Sequence, residues 1–190
     1  MNARILGIAI ATVVAVVLLA WLLTRPQPAP TVTGPVPIPV PVDPDAPTPT
    51  PVPEQRIVVL FAGSDGLLHP ELRSVALPPQ LIDRVRAIVD QVLAGPESGL
   101  APTVPYASEV QHVFLDGEGT AWIDLTPPPS PLAGSSTELM LVYGVVNSVL
   151  LNCPELSSVQ LLFGGTEVDT LTGHLDLSRP LVLNKRFIAS

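Results

Sequence analysis

An uncharged apolar stretch from residue 5 to residue 23 dominates the amino-terminal end of this 190-residue chain. Nineteen residues in a helix span about 28 Å, which is close to the thickness of the hydrocarbon core of a bilayer. Arg4 precedes the stretch, and Trp21 and Arg25 lie at its far end, where interfacial anchors are expected. The pattern predicts a transmembrane helix over residues 5–23 that follows a cytoplasmic tail of residues 1–4.

The alternative interpretation of this stretch is a cleaved signal peptide. The apolar run is longer than the usual signal core of about 7–15 residues, and Trp21-Leu22-Leu23 occupies the place where a cleavage site needs small residues. A lipoprotein signal would need a cysteine directly after the run, but the chain's single cysteine is Cys153. We therefore expect an uncleaved single-pass anchor that contacts the lipid bilayer, with the carboxyl-terminal domain outside the cytoplasm.

A proline-rich segment, residues 24–54, follows the predicted helix. Half of the chain's 24 prolines lie in this segment, and Pro35 to Pro41 alternates proline with valine and isoleucine. Proline lacks a backbone donor and forces the preceding residue to extended angles, so polyproline II is the expected conformation. Nearly thirty residues at about 3.1 Å each would reach about 80–90 Å when fully extended. A stiff spacer is favoured over a docking ligand for a proline-recognition domain, which Pro37 to Pro41 could also provide.

Residues 55–190 form the predicted globular region. The whole chain carries 9 basic and 17 acidic residues, and its net charge of −8 disfavours nucleic acid as a partner. The single cysteine excludes an intrachain disulfide framework and a cysteine-based zinc cluster. No cofactor is predicted.

The hydrophobic pattern of the globular region predicts an α+β fold in the order β-β-α-β-β-α-β-β. Two helices should pack on a mostly antiparallel or mixed sheet. The second helix is apolar nearly all round and should be central, and Ser135 with Glu138 matches a capping box at its start. The strands are predicted at Arg56–Phe61, Leu67–Leu77, Glu109–Leu115, Thr120–Leu125, Ser158–Phe163 and Glu167–Leu171, and the helices at Gln80–Ala94 and Ser135–Leu151.

These residues resemble the GerMN domain, a family named from sporulation and germination proteins. The resemblance implies a compact α+β domain of membrane-anchored or lipidated proteins outside the bacterial cytoplasm, without an established catalytic site. The proline run at Pro127–Pro131 departs from the polar segment usual there. The matching positions are Phe61, Asp65-Gly66-Leu67-Leu68, Pro70-Glu71, Arg73, Val75, Leu93-Ala94-Gly95-Pro96, Val104-Pro105, Gly119-Thr120-Ala121, Asp124-Leu125, Gly134, Glu138, Val146-Asn147, Val159, Leu162-Phe163, Gly165, Thr170-Leu171, Gly173-His174, Asp176 and Pro180-Leu181.

The polar residues of the globular region do not form a recognisable catalytic or metal-binding motif. No two of the three histidines have the spacing that would place them on one face of a helix. Asp65, Glu71 and Asp176 could converge on a cation, but a turn role for Asp65 and a pairing of Glu71 with Arg73 or with solvent are favoured. His174 is expected to fix a loop. These five, Asp65, Glu71, Arg73, His174 and Asp176, are the predicted interaction or loop-fixing residues.

Three functions remain open from the sequence. The first is a non-enzymatic, membrane-tethered module that binds or organises cell-envelope proteins, with self-association as a variant. The second is binding of peptidoglycan or another glycan as an accessory to wall remodelling. The third is a hydrolase that uses Asp65, Glu71 or His174, and it is the least favoured.

Overall fold

The computed structural model describes residues 53–190. The predicted transmembrane helix at residues 5–23, and all of the predicted linker except its last two residues, lie outside this range. Within the described range, no helix has the length and the apolar character that a membrane crossing needs. The elements are β1 (Glu54–Ala62), β2 (Leu68–Ala76), α1 (Leu81–Leu93), β3 (Val110–Leu115), β4 (Thr120–Leu125), α2 (Ser135–Asn152), β5 (Ser158–Phe163) and a 3₁₀ turn (Lys185–Phe187).

The strands form two separate sheets instead of the single sheet that the pattern predicts. β1 and β2 make a two-stranded antiparallel hairpin. In the three-stranded sheet β4 is central, antiparallel to β3 and parallel to β5. The α+β class and the two helices are confirmed, and the first seven predicted elements occur in the predicted order.

The predicted last strand, Glu167–Leu171, is wrong. Gly164 and Gly165 turn the chain with φ angles of 62° and 75°, and only one bridge forms, between Phe163 and Thr166. The place beside β5 is taken by the segment around Leu181, which exchanges two backbone hydrogen bonds of 2.8 Å with Val159. The glycine pair therefore forms the expected turn, but the residues that follow it form a loop instead of a strand.

The second helix is the centre of the fold, as its composition predicts. Nearly every residue of α2 from Met140 to Leu150 is buried, and the helix packs against β1, β5 and α1. Helix α1 buries one apolar stripe on the same core. The fully buried side chains include Ile57, Val59, Phe61, Val85, Ile88, Val89, Ile123, Leu125, Leu141, Val145, Val146, Val149 and Val159.

The predicted capping box at the start of α2 is wrong. Gly134 occupies the N-cap position with φ 83°, and no side chain caps the helix. The Glu138 side chain does not return to the helix start, because it is fully buried against the loop of residues 170–174. That loop offers the carboxylate more donors than a helix end could.

Two neighbouring side chains of β2 point to opposite faces, and the charged one is the buried one. Arg73 is buried with a relative exposure of 6%, whereas Leu72 is 67% exposed. In a strand successive side chains point to opposite faces, so the pairing of Val58 with Leu72 places Leu72 on the outer face and Arg73 on the core face.

Candidate functional site

The buried carboxylate of Glu138 anchors the loop of residues 170–174. Its Oε1 atom accepts hydrogen bonds from the Thr170 hydroxyl at 2.7 Å and from the backbone N–H of Leu171 at 2.8 Å and of Thr172 at 3.0 Å. Its Oε2 atom accepts from the Thr172 hydroxyl at 2.7 Å and from the His174 N–H at 3.1 Å. One side chain thus satisfies five donors of a single loop.

These contacts keep Glu138 ionised. Burial raises the pKa of a carboxyl, but the hydroxyls of Thr172 and Thr170 and the backbone N–H groups outweigh burial and lower the pKa of Glu138 to about 2. The His174 ring lies beside the carboxylate, with Nδ1 3.4 Å from Oε2 and 3.0 Å from the Thr172 hydroxyl. His174 is therefore placed in the loop that Glu138 holds.

Arg73 and Glu71 fasten the carboxyl end of α1 to the hairpin. The Arg73 guanidinium donates to the backbone carbonyl of Gln91 at 2.9 Å and to that of Gly95, which lie at the end of α1. It also donates to Glu71 at 2.9 and 2.6 Å, and its charge lies 5.0 Å from the centre of the Phe61 ring. A cation at this helix end complements the helix dipole.

Glu71 extends the same contact to the loop after α1. Its carboxylate accepts from the backbone N–H groups of Glu97 and Ser98 at 3.0 to 3.2 Å. Burial raises the pKa of Glu71, but hydrogen bonds from Ser98, Arg73 and the two N–H groups lower it to about 2. The pairing of Glu71 with Arg73, one of the two alternatives from the sequence, is thus present, and it closes a loop.

The two remaining predicted residues act within their own turns. Asp65 accepts from the Leu67 N–H at 3.1 Å and from His69 Nε2 at 3.0 Å, and the His69 hydrogen bond lowers the pKa of Asp65. Hydrogen bonds from Ser178 and Arg179 lower the pKa of Asp176 to about 2.

The structure does not bring the five predicted residues to one place. Only Glu71 and Arg73 touch each other, while Asp65, Asp176 and His174 bond to separate partners. Among residues 53–190 no three His, Cys, Asp or Glu side chains are grouped so that they could hold a metal ion. The buried Cys153 has a raised thiol pKa, because burial disfavours the thiolate.

A surface feature that sequence analysis missed is an apolar groove on the outer face of the β1–β2 hairpin, called the hairpin groove below. It encloses about 370 Å³ between the hairpin, the end of α2 and the carboxyl-terminal residues. It is lined by Val58, Leu60, Pro70, Leu151, Lys185, Ile188, Ala189 and Ser190. Within the described residues, Met140, Tyr143 and Phe187 cover one end of this face, where they pack on Leu60 and Leu68.

A signal for the hairpin groove was present in the sequence. Apolar residues run continuously from Ile57 to Phe61, so both faces of β1 are apolar. One face of β1 packs into the main core, and the other face packs against a second, smaller cluster of apolar side chains. Among residues 53–190 the covering side chains leave part of that second face open.

One family model matches most of this chain. The model of the family Germane, described as sporulation and spore germination, matches residues 25–169. A comparison with curated proteins gives no match.

Two solved structures share the fold. A candidate lipoprotein from Clostridium perfringens has 17% sequence identity and a TM-score of 0.50, over 69% of this chain and 89% of that one. The tandem GerMN domains of the sporulation protein GerM from Bacillus subtilis have 15% identity and a TM-score of 0.52, over 68% of this chain. This chain spans about half of the tandem-domain structure, 46% of its length.

Proposed function

The chain belongs to the Germane family of sporulation and spore germination domains, and from this premise we propose that it is a non-enzymatic, membrane-tethered module that binds cell-envelope proteins outside the cytoplasm. The proposal combines a GerMN-type domain with the apolar stretch at residues 5–23 and the proline-rich segment that joins them. The hairpin groove supplies the binding surface.

The hairpin groove is the observation that carries the proposal. It is apolar and open, and the Leu151 side chain at its edge is 38% exposed. By contrast, Glu71, Glu138 and Asp176, the carboxylates with the most strongly lowered pKa values, accept several hydrogen bonds from their own loops. Their lowered pKa values suit anchoring, whereas a general base that works near neutral pH needs a raised one.

Support for the envelope comes from the sequence and from a structural neighbour. The stretch at residues 5–23 has the length and composition of a membrane anchor. The Clostridium perfringens relative is described as a candidate lipoprotein, a class that is attached to a membrane by a different device. A spacer of about thirty residues would let the domain reach partners at a distance from the bilayer.

The membrane arrangement is tested by fusing reporters to the carboxyl terminus. Alkaline phosphatase, which is active only outside the cytoplasm, should be active in the fusion, and a cytoplasmic fluorescent reporter should be dark. A chain that lacks residues 5–23 is the control and should reverse both signals. An active fluorescent reporter on the full chain would contradict the proposal.

Binding through the hairpin groove is tested by photocrosslinking in cells. A photoreactive amino acid at Leu151 should give adducts with envelope proteins. The same amino acid at Gln111, an exposed position on β3, is the matched control and should give none. Equal adduct yields at Leu151 and Gln111 would refute binding through the hairpin groove. Co-sedimentation of the full chain with purified sacculi, unchanged by Leu151→Lys, would instead favour the glycan function.

A further inference from the structure

The outer face of the β1–β2 hairpin continues the hairpin groove beyond its lining residues. Leu72 pairs with Val58, which lines the groove, and paired residues of two strands project to the same face of the sheet. Leu72 is 67% exposed, more than any other large apolar side chain of residues 53–190. The groove and Leu72 therefore form one apolar surface, which runs from Leu60 to the outer edge of β2.

Two cationic side chains flank this apolar surface. Lys185 lines the groove and belongs to the 3₁₀ turn whose Phe187 packs on Leu60. Arg56 lies towards the other end of β1, two residues before Val58, so its side chain projects to the same outer face. At about 3.3 Å per residue, Arg56 lies about 13 Å from Leu60 along the strand. Both cations are exposed.

These cations have no acidic partner among the described residues. The basic side chains of that range that lie away from the surface form ion pairs or hydrogen bonds to backbone carbonyls, namely Arg73, Arg84, Arg86 and Arg179. Arg56, Lys185 and the neighbouring Arg186 make neither kind of contact within residues 53–190. Glu54, two residues before Arg56, accepts a hydrogen bond from Ser74 at 2.7 Å instead. In a chain with a net charge of −8, the unpaired lysine and arginine side chains of the described region thus lie at or beside one apolar surface.

We propose that the hairpin groove binds an acidic amphipathic segment of an envelope protein, which places apolar side chains on this surface and a carboxylate near each of Lys185 and Arg56. This inference rests on the proposed function and names the chemistry of its partner. Burial of apolar side chains supplies affinity, and opposite charges at both ends fix the orientation of the segment and select acidic partners. In an extended segment, residues four positions apart lie about 13 Å apart on one face, which matches the separation of Arg56 from the Leu60 end.

A protein segment fits this charge pattern better than the other possible occupants do. A fatty acid or a phospholipid carries its acidic group at one end, so an acyl chain in the groove would compensate Lys185 or Arg56 but not both. A basic or neutral partner would leave both cations uncompensated at the interface, which disfavours such a partner. A symmetric pairing of two copies through this surface would bring the cations of both copies together, and like charges repel.

Photocrosslinking in cells with charge variants tests the inference. The full chain carries the photoreactive amino acid at Leu151, together with either Arg56→Glu or Lys185→Glu. Each variant should give about tenfold fewer protein adducts than the chain with both cations, because it places like charges at the interface. Arg56→Gln and Lys185→Gln, which remove a charge without adding repulsion, should give an intermediate loss. The matched control is Arg179→Glu, an equal change of charge at a side chain that is 81% exposed and does not line the groove, and its adduct yield should be unchanged.

The chemistry of the partner is read directly from the adducts. Mass spectrometry should map the cross-link to a segment that carries Asp or Glu within about four residues of the adduct, the reach of about 13 Å between the two cations. The substituted side chains are exposed, so the variants should fold, and thermal unfolding of each full chain in detergent, followed by circular dichroism, checks that they do.

The outcomes separate this inference from the proposed function. An absence of adducts at Leu151 in the chain with both cations would contradict the proposed function and this inference with it. Equal yields in the Arg56→Glu, Lys185→Glu and control chains would overturn only the acidic partner, as would a cross-linked segment without a carboxylate. An equal loss in the control would assign the effect to overall charge. Adducts to lipid or to a second copy of the chain would assign the groove to that occupant, and each of these results overturns the inference.

Discussion

Replacement of Glu138 by glutamine should destabilise the domain by about 3 kcal/mol at pH 7. The pKa of this carboxyl falls from an ordinary value of 4.5 to about 2 in the folded chain, and each unit of pKa corresponds to about 1.4 kcal/mol. Because the side chain is fully buried, solvent screens this term little. Glutamine also places an N–H₂ group where donors from Thr172 and His174 already point.

The stabilisation that Glu138 provides depends on pH. The folded-state pKa is lowered, so the carboxylate stabilises the fold fully above pH 4.5, and this stabilisation is lost as the pH falls towards 2. The difference in unfolding free energy between the unaltered chain and Glu138→Gln should therefore shrink from about 3 kcal/mol at pH 7 to about 0.4 kcal/mol at pH 2.

Urea unfolding measured by the fluorescence of Trp122 provides the assay, in a background where the other tryptophan, Trp21, is replaced by phenylalanine. Asp176→Asn is the matched control. The pKa of Asp176 is also lowered to about 2, but its side chain is 52% exposed, so the variant should change stability far less. A loss below about 1 kcal/mol for Glu138→Gln, or a loss that is equal at both pH values, would refute the argument.

Three further perturbations test other parts of the fold. Arg73→Met should lower the free energy of unfolding by about 3–5 kcal/mol in urea titrations, because it breaks a buried ion pair and frees the carbonyls at the end of α1. Gly144→Ala should cost about 1–3 kcal/mol, since a Cβ there would lie 2.7 Å from the Thr103 side chain, whereas Gly99→Ala, with no atom within 4 Å, should be nearly neutral in the same titration. Cys153 should react with a thiol reagent only in denaturant, because it is buried and its thiol pKa is raised; rapid labelling of the native chain would contradict its placement.

The elements that sequence analysis predicts well have strong local signals. Helix α1 was expected at Gln80–Ala94 and begins and ends one residue inside those bounds. Its apolar stripe has helical spacing, and Gly95 with φ 82° provides the stop that the sequence indicates. The β3–β4 hairpin likewise follows from alternating residues on either side of a glycine-rich turn.

The errors concern choices that depend on distant parts of the chain. Ser135 and Glu138 satisfy the local pattern of a capping box. The groups that donate hydrogen bonds to Glu138, however, lie more than thirty residues away, in the loop from Thr170 to His174. The burial of Arg73 beside an exposed Leu72 also depends on distant residues. Arg73 can be buried because its guanidinium donates to carbonyls at the end of α1 and to the Glu71 carboxylate. No local sequence pattern indicates the carbonyl partners.

The two edges of the β1–β2 hairpin show how this fold limits strand addition. On the β1 side, the N–H groups of Val58 and Leu60 donate to side chains of α2, Asn152 and Ser148, at 3.0 Å. A helix therefore closes that edge with polar residues in an otherwise apolar surface. On the β2 side, Pro70 has no N–H to donate. The N–H and C=O of Leu72 point away from β1, because Leu72 faces Val58 in a pair that exchanges no hydrogen bonds. An exposed edge beside an apolar side chain favours pairing with other chains, so the two edges of this hairpin differ in how well the fold protects them from strand addition.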